Sequence, residues 1–369
     1  MSSLRTAATL LSRTHSFRDL TPLAARLGFG EPALLDGRSR SALGIDASAR
    51  RACIASGSGT VRALLVELGP TAVAREAIAR IATRVAQASP ELLWLIIAVQ
   101  PATETIVIAA PAPGATARLA ALAIDVRHVV DSDAETVAAM SDAMGATDVL
   151  VLHRWRELLG RDALTRRFYR ELERVVIDLA ASADGGGGER VRRELALLCA
   201  SRLLFLSFLE AKGWLDGDRE FLRHAFDARC DRGGAVHRRL LDPLFFGTLN
   251  TPVSRRAAAA RALGRIPFLN GGLFARTVVE KQHRNVSFTD EAVGALIGGL
   301  LGRYRVTARE DSTAWSESAV DPEMLGRAFE SLMAQDDRRS SGAFYTPPAI
   351  IERVAGEGLA TVLGARGVP

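Results

Sequence analysis

Lysine is almost missing from this chain. Of 47 basic residues only Lys212 and Lys281 are lysines, so no lysine-dependent chemistry can reside before residue 212. Cysteine is scarce as well, and Cys53, Cys199 and Cys230 stand far apart with no pair at metal-ligand spacing. That excludes a disulfide framework and a cysteine zinc site, and it fits a reducing cytoplasm as the expected location. No uninterrupted apolar run reaches membrane-spanning length. The longest, around Leu195–Leu209, is broken by Ser201, Arg202 and Ser207, so no membrane partner is expected. Acids are missing from the first eighteen residues, which are rich in Ser, Thr and Arg in the manner of a transit peptide. Leu10, Leu11, Phe17, Leu20, Leu23 and Leu27 argue instead for short helices of a folded N-terminus.

What is present points to a globular protein of about two or three domains in 369 residues. Apolar residues make up 48% of the chain, enough for an ordinary core. The net charge of +5 permits contact with nucleic acid without requiring it. The fold class expected is α+β, mostly α, with a small N-terminal α/β domain followed by a helical domain.

Residues 1–40 read as helices ending in the turn Gly28-Phe29-Gly30-Glu31-Pro32. In the segment 41–145, Arg62–Leu68, Leu92–Val99, Thr105–Ala109 and Leu119–Asp125 are short apolar runs of strand length, with a helical pattern over Val73–Gln87. The expected order is β-α-β-β-β in a mixed sheet buried on both faces. A metal-dependent nuclease on such a sheet needs an acid near one strand end and an acid-x-lysine pair on the next strand, to hold the cation and activate water. Asp46 and Glu67 are the tempting acids, but Glu67 is followed by Leu68 and Gly69. The segment is therefore expected to be structural or a degenerate nuclease. Glu210-Ala211-Lys212 spells acid-x-lysine at the end of a helix, where it is a false lead.

Residues 146–183 read as connecting helices. Trp155, Leu158, Leu159, Phe168, Tyr169, Leu172, Val175, Val176 and Leu179 recur at helical spacing, and Arg154, Arg156, Arg161, Arg166, Arg167, Arg170 and Arg174 share the segment. These arginines form either a solvated face or a contact to a DNA backbone. The glycine run at 184–188 reads as a flexible linker. The helical domain expected over 189–318 begins with a helix over Glu189–Lys212 that is apolar nearly all round at its centre, as a bundle interior requires. Arg202 inside it needs a carboxylate or carbonyl partner. Gly213 can cap that helix, with Trp214 and Leu215 folding back on its end, and Asp218 can cap the next.

The remaining segment, 319–369, carries the most specific pattern. Asp321 caps and Pro322 opens a helix with an apolar stripe of Leu325, Ala328, Phe329, Leu332 and Met333. A polar loop then runs into Gly342-Ala343-Phe344-Tyr345-Thr346-Pro347-Pro348. Thr346 suits an N-cap and Pro347 the first helical position. Such a helix start gathers free N–H groups and suits a carboxylate or phosphate, although threonine-proline helix starts are common without any ligand.

Together, Pro322-Glu323-x-Leu325-Gly326-x-x-Phe329-Glu330 and Gly342-x-Phe344-Tyr345-Thr346-Pro347 resemble the opening of the catalytic domain in adenine-specific DNA methyltransferases of the large single-chain, type IIG-like restriction-modification or phage-defence kind. The runs Arg202–Leu215 and Ile266–Phe274 resemble helical regions upstream of that domain, in the same order. The resemblance adds the truncated start of a Rossmann-like domain to the expected fold. It implies S-adenosylmethionine as cofactor, with Gly342, Phe344, Tyr345, Thr346 and Pro347 on the cofactor side of its pocket, and double-stranded DNA as partner. It also implies a glycine-rich cofactor loop and an Asn-Pro-Pro-Phe-like segment that grips the flipped base. Neither motif occurs in these 369 residues. The expectation is a catalytically silent N-terminal portion, without catalytic or metal-binding residues of its own, that needs the missing methyltransferase core in the same chain or a separate subunit. The alternative is a non-enzymatic helical DNA-contacting or scaffold subunit working with a separate methyltransferase.

Overall fold

Two apolar strands joined by one amphipathic helix set the centre of the larger of two compact units, residues 1–322 and 323–369. The computed structural model describes residues 2–111, 119–145, 148–269, 271–307, 315–320, 324 and 348–365. Before the sheet come α1 (Ser2–Ser12) and α2 (Leu20–Arg26). The strands are β1 (Ala33–Leu34), β2 (Ala49–Ser56), β3 (Val61–Leu68), β4 (Leu93–Gln100), β5 (Thr105–Ala110), β6 (Leu119–Asp125) and β7 (Trp315–Glu317). They lie side by side in sequence order. Helix α3 (Gly37–Ala42) precedes β2, and α4 (Ala74–Ala88) joins β3 to β4.

The β3–β4 pair is parallel, in register Val61↔Leu93 to Glu67↔Val99, and this is why a crossover helix is needed between them. β4–β5 and β5–β6 are antiparallel and need no crossover. The β-α-β-β-β order and the mixed sheet expected for 62–125 are thus present. The sequence reading missed the flanking strands: β2 pairs antiparallel with β3, β1 with β2, and β7 parallel with β6 at Leu119↔Trp315.

Alternation explains the near-continuous apolar runs. Ala63, Leu65, Leu95, Ile97, Val99, Ile106 and Ile108 point to one face, among Leu11, Leu23, Val137 and Trp155. Leu64, Val66, Leu68, Trp94, Ile96 and Ala98 point to the other, among Ile78, Ile81 and Val85 of α4 and Trp315. Each such side chain taken wholly out of water contributes ~1.5–3 kcal/mol, so a sheet covered on both faces outweighs the cost of ordering it.

Beyond β6 the chain turns helical: α5 (Asp131–Asp142), α6 (Asp148–Leu159), α7 (Arg161–Ala181), α8 (Glu189–Ala211) and α9 (Phe221–Asp231), then the short α10 (Ala258–Arg261), α11 (Val278–Gln282) and α12 (Asp290–Gly294). The α6 residue Trp155 packs 5.8 Å from the Phe29 ring and donates its indole N–H to the Met140 carbonyl at 2.9 Å. The return to the sheet is held by charge. Arg305 forks onto the fully buried Asp133 of α5 and also reaches the His128 carbonyl at 2.8 Å. Arg303 pairs with Glu135 and Glu171, and Tyr304 meets Phe168 edge-on at 5.3 Å. Three consecutive residues therefore bolt the approach to β7 onto α5 and α7.

The glycine run, read as a flexible linker, has a tied backbone. Asp184 and Ser287 exchange N–H···O bonds of 3.0 and 3.3 Å, and a Cβ on Gly185 would fall 2.0 Å from the Asn285 carbonyl oxygen. Gly185, Gly186 and Gly187 all take positive φ, which glycine adopts without strain.

In the smaller unit one long helix is described, α13 (Pro348–Ala365). The Rossmann-like domain expected over 319–369 falls largely outside the described residues.

Candidate functional site

The turn expected to face a cofactor, Gly342, Phe344, Tyr345, Thr346 and Pro347, lies outside the described residues. The next residue, Pro348, opens α13, an 18-residue helix. Ile350, Val354, Leu359 and Val362, spread over half of its circumference, are 52%, 65%, 62% and 52% exposed. Arg353 and Glu357 pair one turn apart at 3.0 Å on its polar side. A helix that exposes this many large apolar side chains offers surface for a partner.

The acids considered for a nuclease are engaged elsewhere. Glu67 near the end of β3 faces Arg51 across the β2–β3 ladder at 3.7 Å. Asp46 accepts from the Ser48 hydroxyl and amide, with Arg80 at 3.6 Å and Arg84 at 3.3 Å. The Ser48 hydroxyl, backed by those arginines, holds its carboxyl below the usual carboxylate range against the opposing effect of burial. The side-chain amide of Gln100, at the end of β4, donates to the Gly69 and Ala72 carbonyls at 2.9 and 2.8 Å. Among the described residues no three His, Cys, Asp or Glu side chains converge in a geometry that could hold a metal ion.

Arg202 does find the partners its burial demands. It is 2% exposed, forks onto Glu280 of α11, and donates to the Leu273 and Ala275 carbonyls at 2.7 and 3.2 Å. Its guanidinium lies 5.5 and 5.0 Å from the Phe245 and Phe246 ring centres. Arg276 stacks on the same aromatic pair, 3.7 Å from the Phe246 centroid. The adjoining cleft has a volume of about 30 Å³, room for a water and not for a substrate. His237, on this cleft, packs edge-on to Phe288 at 4.8 Å. Burial pushes its imidazole down to about 4, so it is neutral at pH 7. The cluster is a structural pin that fixes the turn ending at Phe274 against α8.

The arginine-rich helices divide their charge. Arg167 pairs internally with Glu135 at 2.9 Å and donates to the Tyr304 hydroxyl at 3.2 Å, while Arg154 pairs with Glu157 at 3.0 Å. Arg166, Arg170 and Arg174 recur at i, i+4 and i+8 on α7, and Arg174 is exposed. Glu210 of the acid-x-lysine run lies in α8 and accepts the Leu222 amide at 2.7 Å, so it satisfies the first turn of α9. Gly213 takes φ +73 as the helix cap expected of it. Beyond it Leu215 is fully buried, but Trp214, expected to fold back as well, is 57% exposed. One residue at the end of α8 suffices to fill the space there. Sequence reasoning offered no signal for that exposure, nor for Glu280 as the partner of Arg202.

No family model matches the chain, and no solved structure matches it. A provisionally named type II restriction enzyme and methyltransferase of Methanocaldococcus jannaschii is 33% identical to it over 175 aligned positions, a stretch covering 44% of this chain. The match spans 14% of that relative's length. The similarity is therefore to one part of a restriction-modification protein.

Proposed function

We propose that the chain is the N-terminal portion of a site-specific adenine N6 DNA methyltransferase that uses S-adenosylmethionine in a restriction-modification or phage-defence system. On this reading it is silent without the methyltransferase core, supplied in the same chain or as a separate subunit. The observation that carries it is α13, whose exposed Ile350, Val354, Leu359 and Val362 follow directly on the Gly342–Pro348 pattern. The partial similarity to a restriction enzyme and methyltransferase supports it. Transfer to adenine requires the base to leave the stack and its amino nitrogen to meet the sulfonium carbon in a closed pocket. The turn at Thr346 and Pro347 supplies one wall of such a pocket, and α13 is the surface on which the rest is laid.

Two measurements test this. The purified 369-residue chain should transfer no tritiated methyl from S-adenosylmethionine to DNA, whereas chain and core together should yield N6-methyladenine by nucleoside mass spectrometry. Label incorporated by the chain alone, or a methylated cytosine from the pair, overturns the reading. The triple substitution of Ile350, Val354 and Leu359 to Ser should change the melting of the isolated chain by less than about 0.5 kcal/mol per site, because these residues are exposed. The same substitution should abolish association with the core in sedimentation. Unimpaired association overturns the role given to α13.

A further inference from the structure

A second surface in the larger unit carries more positive charge than its one nearby acid offsets. Between the end of α8 and the segment around α10 runs an open groove of about 650 Å³, lined by Trp214, Val253, Arg256, Arg261 and Arg265 among others. Arg256 is only 4% exposed. It donates to the Thr251 and Ile266 carbonyls at 3.1 and 2.8 Å, and its second terminal nitrogen has no hydrogen-bond partner. Burial lowers its pKa, yet a guanidinium stays charged at neutral pH. A buried cation satisfied by carbonyls alone leaves its charge uncompensated. Arg261 and Arg265, both exposed, add to it, and the nearby acid Asp216 accepts the Arg265 amide at 2.9 Å and pairs with its guanidinium at 3.5 Å, so one carboxylate faces three arginines. Trp214 lines the same groove, a flat apolar ring in water.

We infer that this groove binds a DNA strand, with an unpaired base stacked on Trp214 and the flanking phosphates on Arg261 and Arg265. Guanidinium forks match phosphate oxygens, and an exposed indole accepts any base by its π-face. The groove is too open to enclose a small cofactor, which pockets ordinarily bury by most of its surface. An extended polymer crossing it meets Arg261, Arg265 and the ring in passing, with the buried charge of Arg256 in the lining. The inference shares with the proposed function only its DNA partner, and it rests on residues of the larger unit alone.

Trp94, Trp155 and Trp315 are each 2% exposed or less, so Trp214 is the tryptophan whose fluorescence a ligand in solution can reach. Titrating the full chain with a single strand of mixed sequence, about 12 nucleotides long and so within the usual site size, should quench the solvent-exposed emission. The quenching should run in step with fluorescence anisotropy of a labelled copy. Trp214→Ala should weaken binding roughly 5- to 150-fold. Arg261→Gln and Arg265→Gln should each lower the slope of log affinity against log salt by about 0.7. All three sites are exposed, so unchanged circular-dichroism melting excludes unfolding as the cause. Binding that is equally tight in Trp214→Ala overturns the inference and leaves the methyltransferase reading standing. So does equal quenching by a poly-glutamate peptide, which marks an acidic-protein surface. Absence of any DNA binding overturns both the groove and the DNA partner, while methyl transfer by chain and core remains a separate result.

Discussion

Replacing Glu280 by Ala is expected to lower the unfolding free energy by ~3–5 kcal/mol. The reason is what remains behind. Arg202 sits at 2% exposure in the middle of α8, and Glu280 supplies two of its four hydrogen bonds. The Leu273 and Ala275 carbonyls and the faces of Phe245 and Phe246 cannot neutralise the charge left on the guanidinium. The acid also closes α11, because its carboxylate accepts the Thr277 amide at 2.8 Å while the Thr277 hydroxyl accepts the Glu280 amide at 3.2 Å. Ala therefore removes a capping box together with the counter-charge, adding about 1 kcal/mol to the loss. Burial pushes the Glu280 carboxyl up, but its hydrogen bonds with Arg202 and Thr277 outweigh that and hold it below the ordinary value. Its contribution is thus present above an unfolded pKa of 4.5 and is lost as pH falls through the lower folded one. Urea unfolding at pH 7 reads the effect directly. The double variant Arg202→Met with Glu280→Gln should recover most of the loss, since it leaves no buried charge without a partner. A Glu280→Ala variant within about 1 kcal/mol of the parent would show that water solvates Arg202 through the cleft.

That pin also shows what a sequence can and cannot disclose. Arg202 within an apolar helix announces a need for a partner, because the cost of an unpaired buried charge depends on its surroundings alone. The partner's identity is a long-range fact, 78 residues away, and no local pattern around Glu280 marks it. The sheet divides in the same way. β3 to β6 were legible because strands buried on both faces read as unbroken apolar runs. β2 was not, since Arg50 and Arg51 interrupt it where its edge meets water. β7 is three residues long and reaches β6 from nearly two hundred residues downstream, and its pairing rests on Arg303, Tyr304 and Arg305 being held by α5 and α7. The candidate cofactor turn lies outside the described residues, and the described helix after it exposes Ile350, Val354, Leu359 and Val362. Trp214 went the other way, because a ring expected to pack on the helix end stands in solvent.

Glu210 should give the protein a pH dependence opposite in sign to that of Glu280. Its carboxyl is largely enclosed between the end of α8 and the start of α9, and burial pushes it up to about 8. The neighbouring carboxylates Asp218 and Glu220 push the same way, and the Leu222 amide and Arg223 oppose them without prevailing. Between its unfolded pKa of 4.5 and about 8, the folded chain keeps a proton that the unfolded chain has lost. Stability from this group is therefore complete below pH 4.5 and drains away up to about pH 8, at about 1.4 kcal/mol per pH unit. Glu210→Gln keeps a carbonyl oxygen for the Leu222 amide and removes the titration. The variant should match the parent in urea near pH 5 and exceed it at pH 8 by on the order of 3 kcal/mol, after discounting for the solvent that still reaches the group. His237 contributes with the reverse sign, since burial lowers its imidazole to about 4 and its stabilisation fades as pH falls below 6.5. Because His237 is the same in both proteins, the difference between parent and variant isolates Glu210. A difference that does not grow from pH 5 to pH 8 would mean that Glu210 is ionised in the folded protein, with Arg223 as its counter-charge.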